Sequence, residues 1–314
     1  MSFLTATQVV KRYSGHLALD SLDLAVPQNS IFGLLGPNGA GKTTFIRILN
    51  QITAPDSGSI YIDGEKLSAK HIHSIGYLPE ERGLYKKMKV GEQALYLSRL
   101  KGLNRHDAFK QLKYWFEKFE ITEWWDKKVE ELSKGMQQKV QFIITILHKP
   151  RLLIFDEPFS GFDPINTNLL KQEILKLRFD GATILFSTHN MASVEEICDH
   201  IALINKSRKI LDGNINDVRD TYASGIYEFT YLGYFQKLAA TLATNYEIIE
   251  TAENNGISSI KLRLTDSSMS QNDLIKHMLQ FGNMKSFEMV KPSMNDIFIK
   301  AVQSSGPSNE TKIN

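Results

Sequence analysis

The chain has 314 residues, enough for one large domain or two smaller ones with a sizeable core. Its 37 Lys and Arg nearly balance 35 Asp and Glu, a formal charge of +2, so composition implies no broad nucleic-acid-binding surface. A single cysteine, Cys198, excludes an internal disulfide framework, fits a reducing compartment and reads as a small apolar filler on a helix.

The N-terminal MSFLTATQVVKRY lacks the long apolar segment of a signal peptide. No uncharged apolar run is long enough to cross a bilayer; Val140–Leu147 is about two helical turns and reads as a buried helix. The expectation is a soluble chain that can still dock onto a membrane partner.

Residues Phe3 to Val26 alternate apolar and polar around Gly15, as antiparallel strands do. Tyr13 lies near the turn between them, either as a strand aromatic on the core or as a platform for a nucleobase. The stretch Ile31–Thr44 then reads as a short apolar strand, a glycine-rich turn and the first turn of a helix. Its spacing Gly-x-x-x-x-Gly-Lys-Thr, from Gly36 to Thr43, is a phosphate-binding loop. Glycines let successive N–H groups point inward as an anion nest, and the helix beginning near Lys42 adds its positive dipole end. Lys42 can reach β- and γ-phosphates, and the Thr43 hydroxyl is placed to ligate Mg²⁺. A nucleoside triphosphate is the expected ligand.

Beyond the helix Thr44–Asn50 come a turn at Pro55–Gly58, a strand Ser59–Ile62, a strand Ile75–Leu78 and a charged loop Glu80–Tyr85. From Val90 to about Phe119 the apolar residues recur near helical spacing, followed by Trp124 and Trp125. Lys86, Lys87 and Lys89 read as a solvated face. With no clear strand between about Tyr85 and Lys149, this region is a helical insert in an α/β protein. Ser133 is a good N-cap for the helix running to His148, whose free N–H groups form a second anion site.

Leu152–Phe155 is a continuous apolar run, as in a parallel strand buried on both faces, and ends in Asp156 and Glu157. Ligands sit at the carboxyl ends of such strands. Asp156 therefore faces the Mg²⁺ held by Thr43, and Glu157 is free to polarise an attacking water. Helix Asn166–Arg178, strand Thr183–Ser187, helix Ala192–Cys198 and strands Ile201–Ile204 and Lys209–Leu211 follow. His189 follows the strand Thr183–Ser187; by position alone a histidine there is structural.

A boundary is expected near Tyr222–Gly225. Beyond it, strand Ile226–Leu232, helix Tyr234–Ala243, strand Tyr246–Thr251, strand Ser259–Leu264, helix Gln271–Phe281 and strand Lys285–Val290 give the ferredoxin-like order βαββαβ. Pro292–Val302 adds a terminal helix, and the polar tail 304–314 is expected to be disordered. The expected plan is an α/β nucleotide-binding domain over 1–222, its helical insert at about 85–149, and an α+β accessory domain over 223–303.

Leu132-Ser133-Lys134-Gly135-Met136-Gln137-Gln138 resembles the signature motif of ATP-binding-cassette (ABC) ATPases, with Lys134 and Met136 departing from the usual Leu-Ser-Gly-Gly-Gln. The resemblance implies a P-loop fold of ABC type, with a mixed-sheet core, an antiparallel β subdomain and a helical insert. It further implies that Gly36, Pro37, Asn38, Gly39, Ala40, Gly41, Lys42, Thr43 and Thr44 form the Walker A loop around ATP. Tyr13 matches the adenine-stacking aromatic, and Asp156 and Glu157 match the Walker B aspartate and catalytic glutamate. Asp163, in Ser160-Gly161-Phe162-Asp163, matches the D-loop, and His189 the switch histidine. Ser133 and Gly135 of one copy would cover the γ-phosphate bound on the other. Glu80 stands where the family usually carries a glutamine that meets metal and water, and a carboxylate there can also ligate Mg²⁺.

GYLPEERGLY, LSKGMQQKVQ and the segment Lys291–Phe298 resemble the ABC-2-type exporter ATPases, the group of the sodium-export and antibiotic-export ATPases. A homodimer, or a heterodimer with a similar subunit, would work with separate membrane-spanning permease subunits, peripheral on the inner face of the cell membrane and with no nucleic-acid partner. A soluble ABC-type ATPase or nucleotide sensor with a non-transport partner is the alternative. One phosphate loop argues against a two-cassette ribosomal ATPase, and the absence of sustained heptads over 45–151 argues against a chromosome-organising relative.

Overall fold

The computed structural model describes residues 2–81, 83–232, 246–265, 270–281 and 283–305. Two compact units emerge: Met1–Ile215 together with the chain from Phe298, and Asn216–Ile297.

In the first unit, β1 (Ser2–Tyr13) and β2 (His16–Pro27) form an antiparallel hairpin closed by Ser14-Gly15, with Tyr13 opposite His16. Gly15 sits at φ 76°, as such a tight turn requires. With β4 (Ser57–Ile62) and β5 (Glu65–Lys66) they make a sheet of order β2-β1-β4-β5. A second, six-stranded sheet has the order β10-β9-β3-β8-β7-β6. Here β3 is Ile31–Leu35, β6 Ile75–Leu78, β7 Leu152–Asp156, β8 Thr183–Ser187, β9 His200–Asn205 and β10 Arg208–Asn214. All its neighbours run parallel except the edge pair β9/β10. Every residue of β3, β7 and β8 is buried, which is why these strands read as unbroken apolar runs.

Helix α1 (Lys42–Leu49) buries Phe45, Ile46, Ile48 and Leu49 in one core with Leu4, Leu19 and Leu22 of the hairpin and Phe32 and Leu34 of β3. One apolar cluster thus fixes the phosphate loop between both sheets. Gly33 of β3 is packed so closely that a Cβ there would lie 3.2 Å from the Cys198 sulfur. Burial pushes that thiol far up, so Cys198 is the inert filler its sequence position suggests.

The insert holds α2 (Val90–Leu100), α3 (Arg105–Lys118) and α4 (Lys134–Ile146). The expected helical stretch to Phe119 is broken at residues 101–104, where Asn104 caps α3 by accepting from the Asp107 N–H at 2.9 Å. The packed side of α2 is Val90, Gln93, Ala94 and Ser98, and Leu100 is exposed. A Cβ on Gly91 would lie 2.3 Å from the Trp125 ring, so the indole seats directly on the helix backbone. Residues 140–147 are buried except Ile144. Helices α5 (Pro164–Phe179) and α6 (Met191–Ile197) flank β8 in sequence.

The second unit opens within α7 (Ile215–Thr221), a helix with no clear periodic signal in sequence. Strands β11 (Ile226–Leu232), β12 (Tyr246–Asn254), β13 (Ile257–Leu264) and β14 (Asn283–Met289) form an antiparallel sheet of order β12-β13-β11-β14. That order is the ferredoxin-like one. Helix α8 (Gln271–Met278) covers one face with Leu274 and Met278 against Phe229, Ile260 and Leu262. The expected helix Tyr234–Ala243 and the tail beyond Ser305 lie outside the described residues. Helix α9 (Met294–Ser304) ends the described chain, and Asn205 Nδ2 donates to Ser305 Oγ at 3.0 Å within the first unit.

Candidate nucleotide-binding and catalytic site

The phosphate loop leaves β3 at Gly36 and enters α1 at Gly41. A Cβ on Gly36 would sit 2.2 Å from the Ile204 carbonyl oxygen, and one on Gly41 2.4 Å from that of Ala18. Both have positive φ, 148° and 115°, so backbone curvature and close approach alike demand glycine. The Lys42 ammonium donates to the carbonyls of Gly36 at 2.7 Å and Pro37 at 3.1 Å, which curls the lysine over its own loop. Burial lowers its pKa, opposed by the carboxylates of Glu157, Asp156 and Glu80.

A cleft of about 330 Å³ surrounds this loop, lined by Tyr13, His16, Ala18, Asn38, Gly39, Gly41, Lys42, Thr43, Thr44 and Glu80. Tyr13 is 43% exposed, with the Lys11 ammonium 5.5 Å from its ring centre, so the aromatic lines the cleft rather than the core. His16 enters the cleft because the hairpin register places it opposite Tyr13. Sequence reading missed it; a two-residue turn after Tyr13 was the available signal.

At the carboxyl end of β7, Asp156 is 4% exposed. Burial pushes its carboxyl up to about 6, Glu80 and Glu157 add in the same direction, and Lys42 opposes. Glu157 is held at φ 48°, left-handed for a non-glycine residue, while its N–H donates to the Ser187 carbonyl at 2.9 Å. Its carboxylate accepts from the Thr188 hydroxyl at 2.9 Å and from the His189 N–H at 2.9 Å, and lies 2.6 Å from His189 Nδ1. The structure therefore joins the acid ending β7 to the loop ending β8. The carboxylate against Nδ1 orients the ring, and the His189 side chain is 75% exposed.

Ser133 caps α4 by accepting from the Met136 N–H at 3.3 Å. It is exposed, and neither it, Gly135 nor Asp163 lines the cleft around Lys42. Gly135 instead approaches the loop after Glu157, since a Cβ there would lie 3.3 Å from the Gly161 carbonyl oxygen. Gln138 Nε2 reaches the Pro158 carbonyl at 3.5 Å. Asp163 caps α5, accepting from the Asn166 N–H at 2.9 Å, and that bond holds its carboxyl below the usual range.

Residues 19–160 match the ABC transporter family, and residues 213–302 match the C-terminal domain of ATP-binding proteins like DrrA1-3. The uncharacterized ABC transporter ATP-binding protein YhaQ of Bacillus subtilis (strain 168) is 43% identical over 303 residues, covering 95% of this chain and 98% of its own. The chain is an ABC transporter ATP-binding protein. The Nod factor export ATP-binding protein I of Burkholderia thailandensis is 37% identical over 66% of this chain and 69% of its own. A solved ATP-binding subunit of an ABC transporter superposes with TM-score 0.66 at 29% identity, covering 70% of this chain and 93% of that one.

As an ABC ATP-binding protein the chain binds and hydrolyses ATP and works with transmembrane partners. No helix among the described residues is long and apolar enough to cross a membrane.

Proposed function

We propose that this chain is the motor of an exporter, peripheral on the inner face of the cell membrane through separate permease subunits. The C-terminal match to the DrrA1-3-like domain supports this reading, as does a relative whose name specifies Nod factor export. Residues 1–222 form the motor and 223–303 an accessory module.

In this reading Tyr13 stacks on adenine, and Gly36 to Thr44 cradle the phosphates with Lys42 beside them. Glu157 takes the proton of the attacking water, and the His189 ring, held by that carboxylate, stands beside the outer phosphate. The 2.6 Å contact between the two side chains is the observation that supports this mechanism, because it couples the proposed base to the proposed phosphate sensor.

Thr43, Asp156 and Glu80 are the residues to hold Mg²⁺. No cluster of three or more His, Cys, Asp or Glu side chains suited to a metal exists among the described residues. A hydroxyl and carboxylates are nevertheless the hard oxygen donors Mg²⁺ takes when phosphates complete its shell. Buried Asp156, with its raised pKa, is a carboxylate that a cation stabilises. When bound, the metal neutralises charge developing on the phosphate oxygens.

Two copies, identical or paired with a similar subunit, close head-to-tail. Ser133 and Gly135 of each then meet the nucleotide held by the other, and Asp163 meets the facing copy. The exposed cap of α4 supports this role, since its N-terminal N–H groups are an anion site away from its own cleft. Turnover is thereby tied to closure and to movement in the permease.

The test is co-purification with a multi-span membrane protein, followed by ATP hydrolysis measured with and without it. Stimulated hydrolysis that disappears in Glu157→Gln supports the proposal. A Glu157→Gln chain turning over at the parental rate removes the assigned base, and a chain that captures no membrane protein removes the exporter role.

A further inference from the structure

Among the groups around the phosphate loop, one charge stands out. Glu80, in the loop after β6, lines the same cleft as Lys42 and Thr43. Its carboxylate, like those of Asp156 and Glu157, acts on the Lys42 ammonium. Lys42 is already bonded to the carbonyls of Gly36 and Pro37. Lys11, whose ammonium lies 5.5 Å from the Tyr13 ring centre, is paired with Asp56 at 2.9 Å. A polyphosphate entering this cleft alone would bring several more negative charges beside the exposed Glu80 carboxylate, with no cation of its own to offset them. Glutamine at position 80 would accept and donate hydrogen bonds there without adding charge.

We infer that Glu80 makes nucleotide binding conditional on a divalent cation, so that the cleft admits the metal–nucleotide complex and repels the free polyphosphate. This deepens the proposed nucleotide site and rests on it. The cation is then an entry requirement as well as a cofactor of hydrolysis. The occupant selected is a nucleoside triphosphate already carrying its metal.

The experiment is equilibrium binding of a fluorescent ATP analogue to the full chain, in Mg²⁺ and in EDTA, for the parent, Glu80→Gln and Glu81→Gln. The neighbouring Glu81 is exposed and is absent from the cleft lining, so it controls for net charge. The parent is expected to bind the analogue at least about tenfold more weakly in EDTA than in Mg²⁺. Glu80→Gln is expected to close most of that gap by improving metal-free binding, with Glu81→Gln keeping the parental gap. An unchanged gap in Glu80→Gln, or an equal narrowing in Glu81→Gln, overturns the inference. Failure of the parent to bind in Mg²⁺, or full binding by Lys42→Ala, would instead overturn the nucleotide site itself.

Discussion

Glu157 Oε1 lies 2.6 Å from His189 Nδ1 and also accepts the His189 backbone N–H at 2.9 Å, so one carboxylate oxygen binds both ends of the same residue. The second oxygen is occupied by the Thr188 hydroxyl. The loop ending β8 thus holds both oxygens of the proposed base.

Glu157→Gln keeps the side-chain shape and an oxygen for these donors but cannot take a proton. Turnover is expected to fall by about a hundredfold or more, while ATP affinity stays within about twofold. Thr188→Val should lower kcat by a smaller factor with little change in KM, because it frees one oxygen without removing the base. Steady-state hydrolysis and binding titrations read both.

The phosphate loop tolerates no Cβ at two of its glycines. Gly36→Ala and Gly41→Ala each force a contact under 2.5 Å with a backbone carbonyl at positive φ. A loss of about 3 kcal/mol or more is expected, with loss of nucleotide binding. Gly39→Ala meets nothing within 4 Å and carries only the strain of φ 78°, about 1–2 kcal/mol. Urea denaturation separates the two classes.

Lys118 Nζ lies 2.6 Å from both carboxylate oxygens of Glu173, whose side chain is 8% exposed. This pair ties α3 of the insert to α5. Lys118→Met leaves a buried carboxylate uncompensated and should cost about 3 kcal/mol, whereas Lys118→Met with Glu173→Leu should recover most of it. Denaturant midpoints of the two variants provide the check.

His148, just beyond α4, has its pKa pushed down to about 4 by burial, helped by the charge of Lys101 and opposed by a bond to the Ile75 carbonyl. Lys101 donates to that same carbonyl at 2.9 Å. The folded chain refuses a proton that the unfolded chain accepts near pH 6.5. This contribution to stability is therefore complete above about pH 6.5 and is lost as pH falls toward 4. Melting temperature should drop across that window, and His148→Gln should flatten the drop.

Much of this architecture was legible because the chemistry is local. The Gly36–Thr43 spacing, the apolar run ending in Asp156 and the strand before His189 each lie within a few residues, and the structure reproduces those strands to within two residues. What sequence hid depends on distant neighbours. Nothing adjacent to Glu157 signals that its N–H reaches Ser187 or that Thr188 grips its carboxylate. The break between α2 and α3 does carry local signals, Gly102 and the N-cap Asn104, which apolar spacing alone passes over. Asp163 resembles a D-loop residue and also caps α5, a local duty signalled by the Pro164 that follows it. The assignment of Phe298 onward to the first unit depends on tertiary packing, which no local pattern encodes.

The most direct test of ATP-dependent closure is the sedimentation mass of the Glu157→Gln chain across a Mg·ATP titration, with a companion ABC ATP-binding chain and the membrane subunits supplied in a parallel set. A dimer that forms with Mg·ATP and disappears when Ser133→Arg is introduced is the expected result. A chain that stays monomeric in every arm at saturating Mg·ATP would contradict a site completed across two copies.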